Sequence, residues 1–239
     1  MRVDYTITGA EPDEIWPLVR DHHYSGRMPA NIQHCYAIRR PGGLFGDSGE
    51  PIAGIIYSIP PTRWSENSLV ELSRLVRHPS CAIPLTKLIS FTFPWLKRAG
   101  WALAVSFADW TQKHHGGIYQ AGGWLYGGLR ERRMDGLLIG GKFLSGRTCN
   151  HVYGTRSPSK ILERLPEADI EPHYDEGKHL YWRPVAVAGR AKAKRLGLKS
   201  LPYPKPNAAG LVDEPPPGGV SPEHTGEAAP CALTSKEQE

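Results

Sequence analysis

The sequence predicts an α/β domain with a partly parallel central sheet. Two segments alternate as half-buried strands should, Val3, Tyr5 and Ile7 near the start and Leu69 to Arg77 further on. Two others, Pro12 to about His22 and Pro84 to Arg98, carry apolar residues at helical spacing. Strands and helices interleave along the chain, and that order requires crossover connections between neighbouring strands.

The first strand leads into Glu11-Pro12-Asp13-Glu14, which starts a helix with an early proline and acids in its first turn. Ile15, Leu18 and Val19 give that helix its apolar side, and HHYSG ends it. Gln33 to Ile38 and Pro51 to Ser58 read as two strands joined by the glycine-rich turn GGLFGDSGE. In LVELSRLVR, strict alternation places Val70, Leu72, Arg74 and Val76 together and Ser73 opposite them. His78-Pro79-Ser80 breaks the strand, and the helix from Pro84 to Arg98 turns Leu85, Leu88, Ile89 and Trp95 inward, with Pro94 kinking or shortening it. Trp101 to Phe107 is the next strand and Gly117 to Ala121 a short helix. Asp135 to Lys142 and Thr148 to Tyr153 read as further strands, and Ser157 caps a helix over SPSKILERL.

These elements make residues 1–188 one catalytic-sized domain. Residues 189–205, GRAKAKRLGLKSLPYPK, hold basic residues and no acid and read as a basic arm. Residues 206–239 are rich in Pro, Gly, Ser and Glu and read as a disordered tail. The tail carries six acids against Lys236, a net −5, so the chain's total of +5 leaves +10 on residues 1–205. That much positive charge suits a polyanionic partner. The start of the chain lacks a signal-peptide pattern, no run is apolar enough to span a bilayer, and Cys35, Cys81, Cys149 and Cys231 show no paired spacing. A cytoplasmic protein with free thiols and no membrane partner is expected.

The stretch Val105 to Tyr126 carries the most chemistry. A strand ends in Asp109, a loop follows with His114 and His115, and a glycine-framed helix turn holds Tyr119 and Gln120. A carboxylate at a strand's carboxyl end, with a phenol close behind, is a layout for proton transfer on a bound substrate. The paired histidines His22-His23 and His114-His115 lack metal-ligand spacing, so no metal is expected.

The order strand LVELSRLVR, helix, strand WALAVSF, helix IYQAG resembles the GNAT acyltransferase fold, in which two parallel strands splay apart around the donor. Tyr119-Gln-Ala-Gly-Gly123-Trp124 is similar to that fold's tyrosine–glycine–aromatic pattern, and the resemblance implies a general-acid role for Tyr119. The loop HPSCAIPL departs from it, since it has no glycine where a CoA pyrophosphate cradle belongs. A closer resemblance covers most of residues 15–160. HHYSG (22–26), ELSRL (71–75), SFAD (106–109), GGIYQAGGWLY (116–126) and NHVYGTRS (150–157) together resemble the Mom family of phage DNA-modification proteins.

That resemblance implies conversion of adenine N6 in DNA to N6-carbamoylmethyladenine, which shields phage DNA from host restriction, in the cytoplasm of an infected bacterium. The partner is then double-stranded DNA with an extruded adenine. The roles follow from the chemistry it requires. Asp109 accepts the amine proton, and His23 and Tyr24 stack on or hydrogen-bond the extruded base. Ser73, Arg74 and Gln120 serve the donor, with Arg74 suited to a carboxylate or phosphate. His22, Arg130, Arg132, Arg133 and Arg156 are available to DNA, joined by Lys142 and Arg147. The donor is an acyl-CoA such as acetyl-CoA or an aminoacyl-tRNA such as glycyl-tRNA, since the product contains a glycinamide. Two other readings stand beside this one: an ordinary GNAT N-acetyltransferase acting on a small amine or protein lysine, and a DNA-binding protein without chemistry.

Overall fold

In the computed structural model, which describes residues 4–41, 49–60 and 67–205, the chain is organised around a seven-stranded sheet. The elements are β1 (Thr6–Gly9), α1 (Pro12–His22), β2 (Ile32–Arg39), β3 (Pro51–Ser58), β4 (Leu69–Arg77), α2 (Leu85–Arg98), β5 (Leu103–Asp109), α3 (Gly117–Ala121), β6 (Leu125–Arg130), β7 (Met134–Ile139), β8 (Lys142–Ser145), α4 (Gly146–Tyr153), α5 (Pro158–Leu162), β9 (Ile170–Tyr174), β10 (Lys178–Pro184) and α6 (Ala188–Arg195). The large sheet runs β1-β2-β3-β4-β5-β10-β6, and a second sheet runs β8-β7-β9.

The fold is mixed α/β with the splayed parallel pair that the sequence resemblance implies. β4 and β5 pair in parallel from Leu69 opposite Leu103 to Leu72 opposite Ser106. Beyond that point they separate, although β4 continues to Arg77 and β5 to Asp109. β10 inserts beside β5, antiparallel, with Lys178 opposite Asp109.

Helices cover both faces of the sheet. α1 packs Ile15, Leu18 and Val19 on Ile56 and Val76. Gly54 is needed beneath it, because a Cβ there would lie 2.6 Å from the Ile15 side chain. α2 lies on the opposite face, where Leu88, Ile89 and Leu96 join Ile55, Tyr57, Val70 and Leu72 in the largest core. On the α1 face, α6 closes a third core of Leu69, Leu103, Val105, Leu180, Trp182 and Ala193. No helix among the described residues is long and apolar enough to cross a membrane.

Four expectations are corrected. Strict alternation fails in β4: the pairing with β3 jumps from Ile56–Arg74 to Tyr57–Leu72, so Ser73 is an extra residue, a β-bulge. Arg74 and Val76 therefore lie on the α1 face, opposite Leu72. Thr148 to Tyr153 is helical, because the Ser145 hydroxyl accepts from the Thr148 amide (3.2 Å) and Gly154 ends the helix at φ +69°. The strand there is Lys142–Ser145, antiparallel to β7. Trp95 faces outward, 45% exposed, and α2 continues through Pro94 to Arg98, so the proline does not shorten it.

Residues 188–205 are docked on the domain. A Cβ at Gly189 would lie 2.1 Å from the Ala102 carbonyl, so this close approach admits only glycine. Lys192 is buried and donates to the Asn67 carbonyl. The Leu201 amide donates to the Tyr126 carbonyl (2.8 Å), and the Tyr203 hydroxyl to the Trp124 carbonyl (2.7 Å), covering the β6 edge. Residues 206–239, and 42–48 of the expected turn between β2 and β3, lie outside the described residues.

Candidate active site

Where β4 and β5 part, a cleft of about 880 Å³ opens. His22, His23, Tyr24, Ser73, Arg74, Asp109, Tyr119, Arg130 and Arg133 all line it, so most of the expected site residues meet in one place. Gln120, Arg132 and Arg156 do not line it.

The two expected proton-handling groups sit on opposite sides of the sheet. Asp109 shares the α1 face with Phe107, Val105 and its partner Lys178, by strand register. Tyr119 belongs to the core under α2. The gap between the parted strands lets both reach the cleft, so Asp109 and Tyr119 approach a substrate from opposite directions.

Asp109 ends β5 and accepts from the Thr111 amide (3.0 Å), which fixes the carboxylate as a cap of the following turn. Lys178 Nζ stands 4.0 Å from its second oxygen. The Tyr24 hydroxyl lies beside this carboxylate; burial first, then the Asp109 charge, push the phenol up to about 12. Tyr24 is therefore a proton donor toward Asp109, with its ring exposed at the mouth of the cleft. The His23 ring stacks on the Tyr24 ring at 4.5 Å, and His114 meets that ring edge-on at 5.7 Å.

His23 Nδ1 accepts from the Ser25 amide (3.1 Å), so its other nitrogen, Nε2, carries the proton in the neutral ring. Burial, with Arg74 and His114 nearby, lowers its pKa to about 4. At neutral pH His23 offers an N–H donor to a base and has no free lone pair for relaying a proton.

Tyr119 is 8% exposed. Its hydroxyl lies 2.7 Å from Ser106 Oγ, which is 2.8 Å from the Leu72 carbonyl. A carbonyl only accepts, so the serine donates to Leu72 and the phenol donates to the serine. Burial dominates and holds Tyr119 up at about 12. The chain runs to the last paired position of β4 and β5, directly beneath the fork.

Glu71 is the residue that the sequence reading passes over. It lines the cleft on the same face as Asp109, and burial lifts its carboxyl to about 7 against the opposing pull of Arg74 and Lys178. The sequence does not single it out, since Arg74 and Arg77 are charged positions in the same strand. Arg74 reaches the same face through the Ser73 bulge and donates to the Arg27 carbonyl (2.9 Å) and the Ser73 carbonyl (2.6 Å). Ser73 itself donates to the Ile56 carbonyl (3.2 Å).

Gln120 and Arg132 make hydrogen bonds within the domain. Gln120 Nε2 donates to the Tyr181 hydroxyl (3.0 Å), and that hydroxyl donates to the His115 carbonyl (2.5 Å), tying down the loop before α3. Gly116 (φ +81°) packs so close to Tyr181 that a Cβ would lie 2.1 Å from its ring. Arg132 donates to the Asp175 carbonyl (3.1 Å). Around the cleft, Arg130, Arg133 and Lys178 contribute positive charge beside the acids Glu131 and Asp175, Lys113 pairs with Glu176 (2.8 Å), and Arg147 at the start of α4 acts on Arg74. No group of three or more potential metal ligands occurs among the described residues.

The loop between β4 and α2 has no glycine, and several of its groups are already engaged. The Ser80 amide is held by His78 Nδ1 (3.1 Å) and the Cys81 amide by the His78 carbonyl (2.9 Å). Cys81 and Ile83 are buried in the main core, and Pro84, at the helix start, has no N–H to offer.

A family model described as the Mom protein family matches residues 4–205. Among solved structures, the ribosomal-protein-S18-alanine N-acetyltransferase of Escherichia coli is similar at 10% identity and TM-score 0.44, over 78% of this chain and 97% of that one. The GNAT family N-acetyltransferase YhbS of Escherichia coli, in complex with CoA, is similar at 12% identity and TM-score 0.44, over 84% of this chain and 89% of that one. No curated protein matches the chain.

Proposed function

From the premise that this chain belongs to the Mom protein family, we propose that it converts adenine in duplex DNA to N6-carbamoylmethyladenine, and that its donor is a glycyl ester of RNA. The observation that carries this reading is the placement of Asp109 and Tyr119 on opposite sides of one cleft, whose lining includes Arg74, Arg130 and Arg133.

An extruded adenine enters from the α1 face, where the Tyr24–His23 pair offers a stacking surface and His23 an N–H donor. The N6 lone pair is delocalised into the ring, so the amine needs a base in contact as it attacks. Asp109 accepts that proton in this reading, with the Thr111 amide orienting its carboxylate and Lys178 4.0 Å from its second oxygen. Arg130, Arg133, Arg147 and Lys113 suit the flanking phosphates.

The donor approaches from the α2 face, toward Tyr119. A phenol held at about 12 is poorly matched to a thiolate, which leaves readily as an anion near neutral pH. It is well matched to an alkoxide, a far stronger base. This, with a loop that lacks the glycines of a pyrophosphate cradle, favours an oxygen ester over a thioester.

The atoms balance in two steps. The glycyl carbonyl carbon bonds to N6 and its ester C–O bond breaks; N6 gives its proton to Asp109, and the RNA hydroxyl leaves with a proton from Tyr119. The glycyl amine then bonds to C6, the C6–N6 bond breaks, and the former N6 becomes the carboxamide nitrogen. This second step is an isomerisation and loses no atom. DNA from cells making the protein is expected to resist a restriction endonuclease that reads adenine, while DNA from Asp109→Ala cells is cut. Equal cutting of the two overturns the proposal.

A further inference from the structure

α2 carries a second feature, on the side away from the sheet. Lys87, Phe91, Trp95 and Arg98 follow one another at helical spacing along one stripe. Lys87, Trp95 and Arg98 are exposed and Phe91 is half-buried. The Arg98 guanidinium lies 4.9 Å over the Trp95 ring, and the Phe91 and Trp95 rings are 6.4 Å apart. Beneath the stripe, the buried Tyr36 ring supports Phe91 edge-on at 6.4 Å. The whole of α2, LTKLISFTFPWLKR, has no acidic residue.

We infer that this stripe is a docking track for an unpaired RNA strand, whose 3′ end leads into the cleft. Cations interleaved with aromatic planes are the surface on which unpaired bases stack while the backbone is neutralised. A duplex hides its base faces and cannot use such planes. The direction comes from the helix itself: its first residue, Leu85, lines the cleft, and Arg98 lies at the far end, about 20 Å away at 1.5 Å per residue. The strand is RNA because the stripe lies on the α2 face, opposite the face where Asp109 and Tyr24 would receive the extruded base of the DNA. The choice of the donor's strand as occupant rests on the ester-donor reading above.

Binding tests the track without turnover. The full chain is titrated with a fluorescently labelled single-stranded RNA oligonucleotide, and separately with a duplex DNA, at several salt concentrations. Trp95→Ala and Arg98→Glu are each expected to weaken RNA binding about tenfold, within the range for loss of one stacked base, and to leave duplex binding unchanged. Trp95→Phe, which keeps a stacking plane, should retain most of the affinity. Thermal melts of each variant separate a binding loss from a folding loss. Absence of RNA binding, RNA binding indifferent to these substitutions, equal weakening toward duplex DNA, or a preference for anionic lipid vesicles over RNA would each overturn the track. RNA binding that depends on the stripe, in a protein that leaves DNA unmodified, would retain the track and remove the transferase reading.

Discussion

Glu71 and Arg74 share one face of the central sheet although they are three positions apart, because the bulge at Ser73 adds a residue between. In an unbroken strand they would point to opposite faces. The bulge thus supplies the cleft with a carboxyl and a guanidinium from one strand, beside Asp109 from the next. Bulges next to a site re-aim side chains in this way.

Burial raises Glu71 to about 7, and that fixes a direction for stability. A carboxyl raised in the folded state favours folding below its ordinary value near 4.5, and this contribution disappears as pH rises through about 7. Glu71→Gln, which stays neutral, should match the parent at pH 5 and exceed it at pH 9 by on the order of 1–2 kcal/mol. Chemical denaturation at the two pH values checks this. A parent protein equally stable at both would contradict it.

Tyr24→Phe removes the hydroxyl beside Asp109 and keeps the ring that stacks on His23. We expect intact folding and DNA modification slowed by about a hundredfold, the lower range for a proton-handling group. Quantified modified nucleoside per unit protein reads this directly, and a parental rate would show that the hydroxyl takes no part.

Tyr119→Phe breaks the bond to Ser106 and should cost about 1 kcal/mol of stability, the usual value for such a bond. If the phenol protonates an alkoxide, the variant also loses turnover at temperatures where it is fully folded. Ser106→Ala breaks the same bond and keeps the phenol, so its turnover should stay near the parent's. Equal losses in the two variants would make Tyr119 purely structural.

Charge reversal at Arg133 or Arg147 should weaken duplex binding and flatten its salt dependence, by about one unit of slope for each phosphate that the protein no longer neutralises. The same change at Arg164, which donates to the Tyr153 carbonyl, should leave the slope unaltered. Binding titrations across salt concentrations distinguish the two.

The core of the fold is legible in the sequence because strands β1 to β5 and helices α1 to α3 have clear periods and firm punctuation. Asp109, Tyr119 and the His23-Tyr24 pair are legible from the motifs that hold them. Arg74's face is not, because a single inserted residue reverses alternation and leaves no compositional trace. β10 escapes a sequence reading because Lys178 to Pro184 joins the sheet out of chain order, paired with β5 and β6, which only tertiary packing decides. The basic composition of 189–205 conceals the apolar anchors, Ala193, Leu196 and Leu198, that seat it. Glu71 is one strand charge among many until its burial distinguishes it.

Nitrogen-labelled glycine supplied to cells making the protein should place its label on the nitrogen bonded to the adenine ring, with the carboxamide nitrogen coming from the original N6. Label in the carboxamide would contradict the isomerisation, and no label at all would exclude a glycyl donor.

The most direct measurement is mass spectrometry of nucleosides from the DNA of a bacterial host making this protein, beside a host making Asp109→Asn. We expect a deoxyadenosine heavier by one glycyl residue, with fragments of a carbamoylmethyl group, which is absent from the variant. Unmodified deoxyadenosine in both, with folded protein confirmed in each, would contradict the proposed function.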